Sequence, residues 1–209
     1  MFTFSNYISC AALLIGCGIS IAQTNSVAAQ QDTPCCKQLN QLAKLALPLT
    51  LAEMVIDEKS PMFDFGKGPQ SYLLLQLPAY TQPYSFSILN LPQKPGFFNS
   101  TNYTQMALRI ETFDDDFVSK RIYKHDGMKK RGIGYDKTVF INPQNQTERY
   151  VLIYGDTSAA SEQVTISKTD VVFVGTGFYM GGEDKKIILT ASDKGVLNVE
   201  TKGLILATK

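Results

Sequence analysis

Three consecutive aspartates, Asp114-Asp115-Asp116, are the densest group of hard metal ligands in this 209-residue chain. Carboxylate oxygens of this kind suit calcium. The spacing of an EF-hand loop and its closing glutamate are both absent, and successive side chains of an extended segment point in opposite directions. The pattern is therefore a weak calcium candidate, and a solvated turn is its favoured interpretation.

A basic stretch follows, centred on the turn pair Asp126-Gly127. The sequence predicts a hairpin with a positively charged tip, which would suit an anionic partner such as lipopolysaccharide phosphate, acidic peptidoglycan or the aspartates upstream. The residues expected to make this contact are Lys124, Lys129, Lys130 and Arg131. The alternative is a solvated turn with internal ion pairs, which contribute little stability when they are exposed.

Groups that could perform catalysis are scarce. The chain has one histidine, no tryptophan and four cysteines, so a Ser-His-Asp mechanism would have to use His125, which is expected to be exposed among cations. The glycines of the Gly175-Thr176-Gly177 segment lie between two predicted strands, which leaves no helix N-terminus for a phosphate. Pairs of carboxylates cleave glycosidic bonds, but sequence spacing does not place two of them across a cleft. We predict no catalytic residue, no resident metal and no cofactor.

Tyrosines in or beside the predicted loops are the best candidates for ligand binding. Sugar-binding β-sandwiches place aromatic rings under the apolar faces of pyranose units and use amides or carboxylates for the hydroxyls. The chain has 10 tyrosines and 12 phenylalanines. The rings expected to stack on a sugar are those of Tyr80, Tyr84, Tyr103 and Tyr179. Tyrosines also fill β-sheets, which is the alternative interpretation.

The charge distribution predicts export and argues against a nucleic-acid partner, because the formal net charge is only +1. No charged residue precedes Asp32. The apolar run over 8–22 is about 15 residues long, shorter than the roughly 20 that a membrane-spanning helix needs. Residues 1–31 are therefore interpreted as a secretory signal and the start of a polar tether.

Two processing routes remain open for this signal. Leu14-Ile15-Gly16-Cys17 resembles a bacterial lipobox, which would make Cys17 an acylated first residue that anchors the protein to the outer membrane, its only attachment to a membrane. Alternatively, cleavage after Ala22 or Ala29 would release a soluble periplasmic protein.

The adjacent pair Cys35-Cys36 would hold the remaining thiols of the mature chain if Cys10 and Cys17 are removed or acylated. Oxidising conditions outside the cytoplasm favour a disulfide, but adjacent cysteines close only a strained eight-membered ring. A vicinal disulfide, an intermolecular bridge and free thiols all remain open. A zinc site is disfavoured because two thiolates supply half of a tetrahedral shell.

An all-β scaffold must position these groups, because short β-branched and aromatic runs alternate with Gly, Pro, Asn and Asp from about residue 49 onward. We predict strands over 71–77, 84–91, 105–112, 118–124, 137–141, 149–154, 163–174, 186–191, 196–200 and 203–207. A leucine- and alanine-rich helix is expected over 37–47, ending at Pro48. The prediction is a single antiparallel β-sandwich, jelly-roll-like, over 34–209 with one short N-terminal helix.

Several segments, in this order, resemble the maltose-operon periplasmic protein family over most of the chain. They are Pro34-Cys35-Cys36 with the following leucine-rich stretch, Phe63-Asp64-Phe65-Gly66-Lys67-Gly68, Leu77-Pro78-Ala79-Tyr80 and Glu148-Arg149-Tyr150-Val151-Leu152-Ile153-Tyr154. The resemblance implies an exported, non-enzymatic periplasmic accessory protein linked to maltose and maltodextrin transport, with no catalytic residues to carry over.

The implied partners are maltodextrin or another envelope glycan. The alternative is a structural or adhesion-type module that docks onto an envelope protein partner without binding sugar.

Overall fold

Extended strands dominate the part of the chain that the computed structural model describes, residues 36–94, 102–156, 161–174 and 177–204. Helical structure in these ranges consists of short 3-10 turns at Leu39–Gln41, His125–Gly127 and Pro143–Asn145, none of which has the length or apolar character to cross a membrane. The strands are β1 (Leu45–Ala46), β2 (Ala52–Ile56), β3 (Met62–Asp64), β4 (Pro69–Gln76), β5 (Tyr84–Leu91), β6 (Asn102–Met106), β7 (Leu108–Phe113), β8 (Ser119–Tyr123), β9 (Lys129–Arg131), β10 (Gly134–Ile141), β11 (Tyr150–Gly155), β12 (Glu162–Val174), β13 (Gly177–Ser192) and β14 (Gly195–Lys202).

Two sheets pack around the main core and confirm the predicted β-sandwich. The first has the order β1-β4-β11-β7-β8, with β3 also paired to β4, and the second has the order β2-β14-β5-β10-β9. On β5, Tyr84, Phe86, Ile88 and Asn90 are buried and the residues between them are partly exposed, as the alternation predicts. The pairing is antiparallel except for β1 with β4 and β6 with β13, which are parallel.

A third sheet, in the order β12-β13-β6, joins the sandwich through β6. The sequence predicts one strand over 105–112, but the structure divides it: β6 ends at Met106 in the third sheet and β7 begins at Leu108 in the first. The residue between them, Ala107, donates its N–H to the carbonyl of Ser192 at 2.9 Å. This change of sheet brings the ends of β6, β7 and β13 together.

The predicted helix over 37–47 is wrong in extent, because only the turn at 39–41 is helical. The chain then runs extended, and β1 pairs in parallel with Leu75 and Gln76 of β4. Leu42 packs in a second apolar cluster on the outer face of the first sheet, whereas Leu47 packs in the main core. The extended segment thus carries the chain from the outer cluster at Leu42 to the main core at Leu47.

The predicted basic hairpin around Asp126-Gly127 is also wrong. Strand β8 pairs with β7 in the first sheet, whereas β9 pairs with β10 in the second. The segment between them, including the turn His125–Gly127, therefore crosses from one sheet to the other. The hairpin in this region is β9–β10, and its turn contains Gly132 with a φ of +62°.

Candidate functional site

A polar cleft of about 450 Å³ opens where the three sheets meet. We call it the Arg109 cleft. It is built from the ends of β6, β7, β11, β12 and β13, the 3-10 turn that crosses between the sheets, and the turn before β4. Its lining residues are Lys67, Gln105, Ala107, Arg109, Lys124, His125, Asp126, Asp156, Glu162, Leu189 and Ala191. This volume is in the usual range of small-molecule sites.

Close backbone packing at the end of β11 shapes one side of this cleft. A Cβ atom added to Gly155 would lie 2.4 Å from the Cα atom of Asp193, so the backbone segments approach more closely than any side chain allows. The next residue, Asp156, donates its N–H to the carbonyl of Ala107. These contacts fix the Asp156 carboxylate beside the β6–β7 connection.

Charged groups of both signs line the cleft, and some of them are committed to one another. The Lys67 ammonium lies 3.8 Å from the Asp156 carboxylate. Arg109 stands with its guanidinium 6.0 Å from the centre of the Tyr154 ring, and its Nε is buried without a hydrogen-bond partner among the described residues. Burial raises the pKa of Tyr154, and the charge of Arg109 opposes that rise. The guanidinium of Arg109 lines the cleft and carries only hydrogen-bond donors.

His125 lies against the base of β12, half-buried rather than exposed as expected. Its ring is 4.4 Å from the Tyr135 ring, and its Nδ1 is buried without a partner in the described part of the chain. Burial lowers the pKa of His125, although the carboxylates of Glu162, Asp126 and Asp156 act in the opposite direction. The imidazole is therefore held mainly in its neutral form at neutral pH.

Glu162 is held by two donors at the rim of the cleft. The Lys130 ammonium donates to one carboxylate oxygen and the Tyr135 hydroxyl donates to the other. The hydrogen bonds from Lys130 and Tyr135 lower the pKa of Glu162. Burial and the bond to Glu162 raise the pKa of Tyr135 to about 12. These hydrogen bonds connect β12 to the β9–β10 hairpin.

An open aromatic groove of about 640 Å³ adjoins the cleft, and Arg109 lines both. The Phe65 ring stacks on Tyr154 with centroids 4.2 Å apart, and Phe63 meets Phe65 edge to face at 5.0 Å. The groove is lined by Lys37, Gln38, Leu39, Asn40, Phe63, Phe65, Arg109, Glu111, Asp116, Phe117 and Tyr154. Arg109 thus lies between the aromatic surface of the groove and the charged groups of the cleft.

The tyrosines predicted to stack on a sugar do not meet at one site. Tyr84 is only 4% exposed and packs in the main core, so its ring cannot stack on a ligand. Tyr80 packs partly buried against the same core, whereas Tyr103 packs against the small cluster of the third sheet. Tyr179 belongs to β13, but its side chain lies outside the described residues.

The three aspartates lie in one turn, and the carboxylates of Asp114 and Asp115 have different partners. One oxygen of Asp114 accepts the N–H groups of Asp116 and Val118, and the other lies 2.8 Å from the Lys120 ammonium. The hydrogen bond from Lys120 and then that from Val118 lower the pKa of Asp114. Asp115 lies 3.4 Å from Arg149. No group of three potential ligands in the described ranges is arranged to hold a metal ion, so the calcium candidate gains no support.

The four basic residues predicted to contact an anionic partner are divided by the structure. Lys124 lines the Arg109 cleft, whereas Lys129, Lys130 and Arg131 are exposed on the edge strand β9. Lys130 is bound to Glu162, and Arg131 lies 3.7 Å from Asp136. Contact with an anionic partner remains a prediction.

Of the predicted modification sites, only Cys36 falls within the described residues. It is disulfide-bonded, and its partner lies outside them. Cys17 and Cys35 are likewise outside the described residues.

Sequence reasoning missed most of the residues that build the cleft, since Lys124 alone among the predicted site residues lines it. The position of Arg109 could have been predicted in part from the alternation of β7. Leu108 and Ile110 on either side of it are buried, so Arg109 points away from the main core. Lys67 and Asp156 lie in turns, where alternation gives no information.

Comparisons with known proteins yield no match, either among family models or among curated proteins. The resemblance to the maltose-operon periplasmic family therefore stays a prediction.

Proposed function

We propose that this protein is an exported, non-catalytic binding protein of the bacterial envelope, and that it binds a short oligosaccharide of the maltodextrin class in the Arg109 cleft and the aromatic groove. One observation carries the proposal: a polar cleft of about 450 Å³ is continuous, through Arg109, with a groove lined by stacked aromatic rings. The envelope location rests on the N-terminal signal, and the choice of maltodextrin rests on the family resemblance.

The composition of this surface suits a sugar. Pyranose rings present apolar faces that stack on aromatic side chains, and their hydroxyls both donate and accept hydrogen bonds. Phe65 and Phe117 line the groove, and Gln105, Arg109 and Asp156 line the cleft. Donors and acceptors therefore stand next to aromatic surface, as binding of successive sugar units requires.

Binding without hydrolysis is favoured by the state of the cleft carboxylates. Glycoside hydrolysis uses a carboxylic acid whose pKa is raised so that it can protonate the leaving oxygen. Hydrogen bonds from Lys130 and Tyr135 instead lower the pKa of Glu162. Asp156 is paired with Lys67.

Titration calorimetry with maltose and maltohexaose, and with cellohexaose as the control sugar, tests the proposal. Arg109→Ala should weaken maltohexaose binding about tenfold, as expected for loss of a charged hydrogen bond. Phe65→Ala should weaken it through lost stacking. The matched controls are Arg131→Ala and Phe140→Ala, which remove the same residue types from exposed positions outside the cleft and groove.

No saturable heat at millimolar maltohexaose would refute sugar binding. Saturable binding that Arg109→Ala and Phe65→Ala leave unchanged would place the site elsewhere. Intact-mass measurement of the mature protein separately tests how the signal is processed. A mass that corresponds to a chain beginning near Gln23 or Gln30 without acyl groups would contradict lipidation at Cys17.

A further inference from the structure

Strands β12 and β13 form a long arm that extends beyond the third sheet. They pair antiparallel from Glu162 with Leu189 out to Val174 with Gly177. Strand β6 pairs with β13 only over 188–192. Beyond the Val164–Ile187 pair the described arm is thus a two-stranded ribbon, roughly 30 Å long at about 3.3 Å per residue.

The outer edge of this arm is β12, which is the edge strand of its sheet in the described structure. Edge strands of natural proteins are usually short or carry charges that discourage pairing with another strand. Edge strand β9 follows this rule, since all three of its residues are basic. Strand β12 has 13 residues, and no charge occurs between Asp170 and Glu183 at the end of the arm. Phe173 and Met180 there are 64% and 74% exposed.

We propose that β12 pairs antiparallel with β12 of a second copy of this chain, in the register centred on Thr169. In a symmetric antiparallel pair, residues that stand opposite each other have their side chains on the same face of the joined sheet. Their numbers must therefore be both odd or both even, so the two-fold axis passes between the two copies of one central residue. In this register Lys168 of each copy stands opposite Asp170 of the other. Centring on Lys168 or Asp170 would instead place like charges opposite each other, which is unfavourable.

The same register gives the uncharged tip of each arm an apolar partner. Val164 pairs with Val174 of the other copy, and Ile166 pairs with Val172. Val164 is buried and Ile166 partly buried in the small cluster of the third sheet, together with Ile187 and Leu189. In this register eleven of the 13 residues of β12 would pair.

Disulfide trapping of the full chain tests the register. In an antiparallel pair, opposite Cα atoms lie about 4.5–5.5 Å apart, within the range that a disulfide bridges. Thr169→Cys should therefore form a covalent dimer under mild oxidation. The matched control is Thr165→Cys on the same strand, whose two copies would be about 27 Å apart. The parent chain, oxidised in the same way, corrects for its native cysteines.

Charge complementation tests the pairing independently. Asp170→Lys puts a lysine opposite Lys168 at two places in the dimer, and the β13 position opposite residue 170 within the arm is Gly181, so no other cross-strand charge pair changes. This variant should raise the dissociation constant of the dimer by about one order of magnitude. Lys168→Asp should do the same by placing aspartates opposite each other, and combining it with Glu183→Lys keeps an opposite-charge pair within the arm. An equimolar mixture of the two variants should dimerise, because the mixed dimer restores two opposite-charge pairs.

Sedimentation velocity provides the measurement, and circular dichroism confirms that each variant is folded. A parent chain that stays monomeric at the highest soluble concentration would overturn the proposal, including the case in which it binds lipid vesicles or another protein instead. So would equal trapping of Thr165→Cys and Thr169→Cys, or a failure of the mixed variants to dimerise.

Discussion

Breaking the ion pair between Arg121 and Glu148 by removing one partner is predicted to destabilise the fold strongly. Arg121 Nη2 lies 2.6 Å from Glu148 Oε2, and the carboxylate side chain is only 2% exposed. The same guanidinium nitrogen donates to the carbonyl of Phe140 at 3.1 Å. Arg121 belongs to the first sheet and Phe140 to the second, so one side chain joins the two sheets of the sandwich.

Arg121→Met retains the apolar stem and removes the charge. Loss of one partner from a buried pair costs about 3–5 kcal/mol, because the remaining charge is buried without compensation. Since Arg121 is itself 27% exposed, water can enter as it leaves, and we expect a loss of about 3 kcal/mol of unfolding free energy. Adding Glu148→Gln should recover part of this loss, because the uncompensated charge is then absent.

Urea unfolding followed by circular dichroism measures the effect. At an m-value of about 2 kcal/mol per molar, Arg121→Met should lower the midpoint by about 1.5 M. The control is Lys202→Met, which removes a cation 3.1 Å from Glu200 in a solvent-exposed pair and should cost less than about 1 kcal/mol. Equal losses in the two variants, or no recovery in the double variant, would refute the reasoning.

Two further predictions concern the Arg109 cleft. Gly155→Ala places a Cβ atom 2.4 Å from the backbone of Asp193 and should lower the free energy of unfolding, measured in urea, by about 1–3 kcal/mol. The control Gly127→Ala should be near neutral, because a Cβ atom there has nothing within 4 Å. Similar urea midpoints for the two variants would contradict this packing. Because the folded-state pKa of Glu162 is lowered from 4.5, its stabilising effect is present above pH 4.5 and is lost as pH falls through the folded-state pKa. The melting temperature of Glu162→Gln should therefore fall less between pH 6 and pH 3 than that of the parent, and parallel curves would show that Glu162 has no such role.

Sequence patterns predicted the fold where each strand buries one face against one core. Strand β5 is such a case, since its alternation and its bounds over 84–91 match the structure. The pattern is misleading where one segment contributes residues to two apolar clusters, as between Leu42 and Leu47. It is also misleading where the chain passes from one sheet to another, as at Ala107. Strands β1, β2, β3 and β9 were not predicted. The last has three consecutive basic residues and no alternation, because it is an exposed edge whose pairing is set by β10.

The candidate site was less predictable than the fold because its residues come from segments that are distant in sequence. Lys67, Arg109, His125, Asp156 and Glu162 each belong to a different segment, and the pairing of β6 with β13 and the crossing between the two sheets bring these segments together. A periodic pattern reports only which face of one strand is buried. It carries no information on which neighbouring strand completes a cavity. Residue type and proximity to turns make the tyrosines candidates for a sugar site. Tyr84 is buried in the main core and cannot contact a ligand, whereas Tyr80 and Tyr103 pack against different clusters. A site formed at the junction of three sheets can therefore be located only once strand order is known.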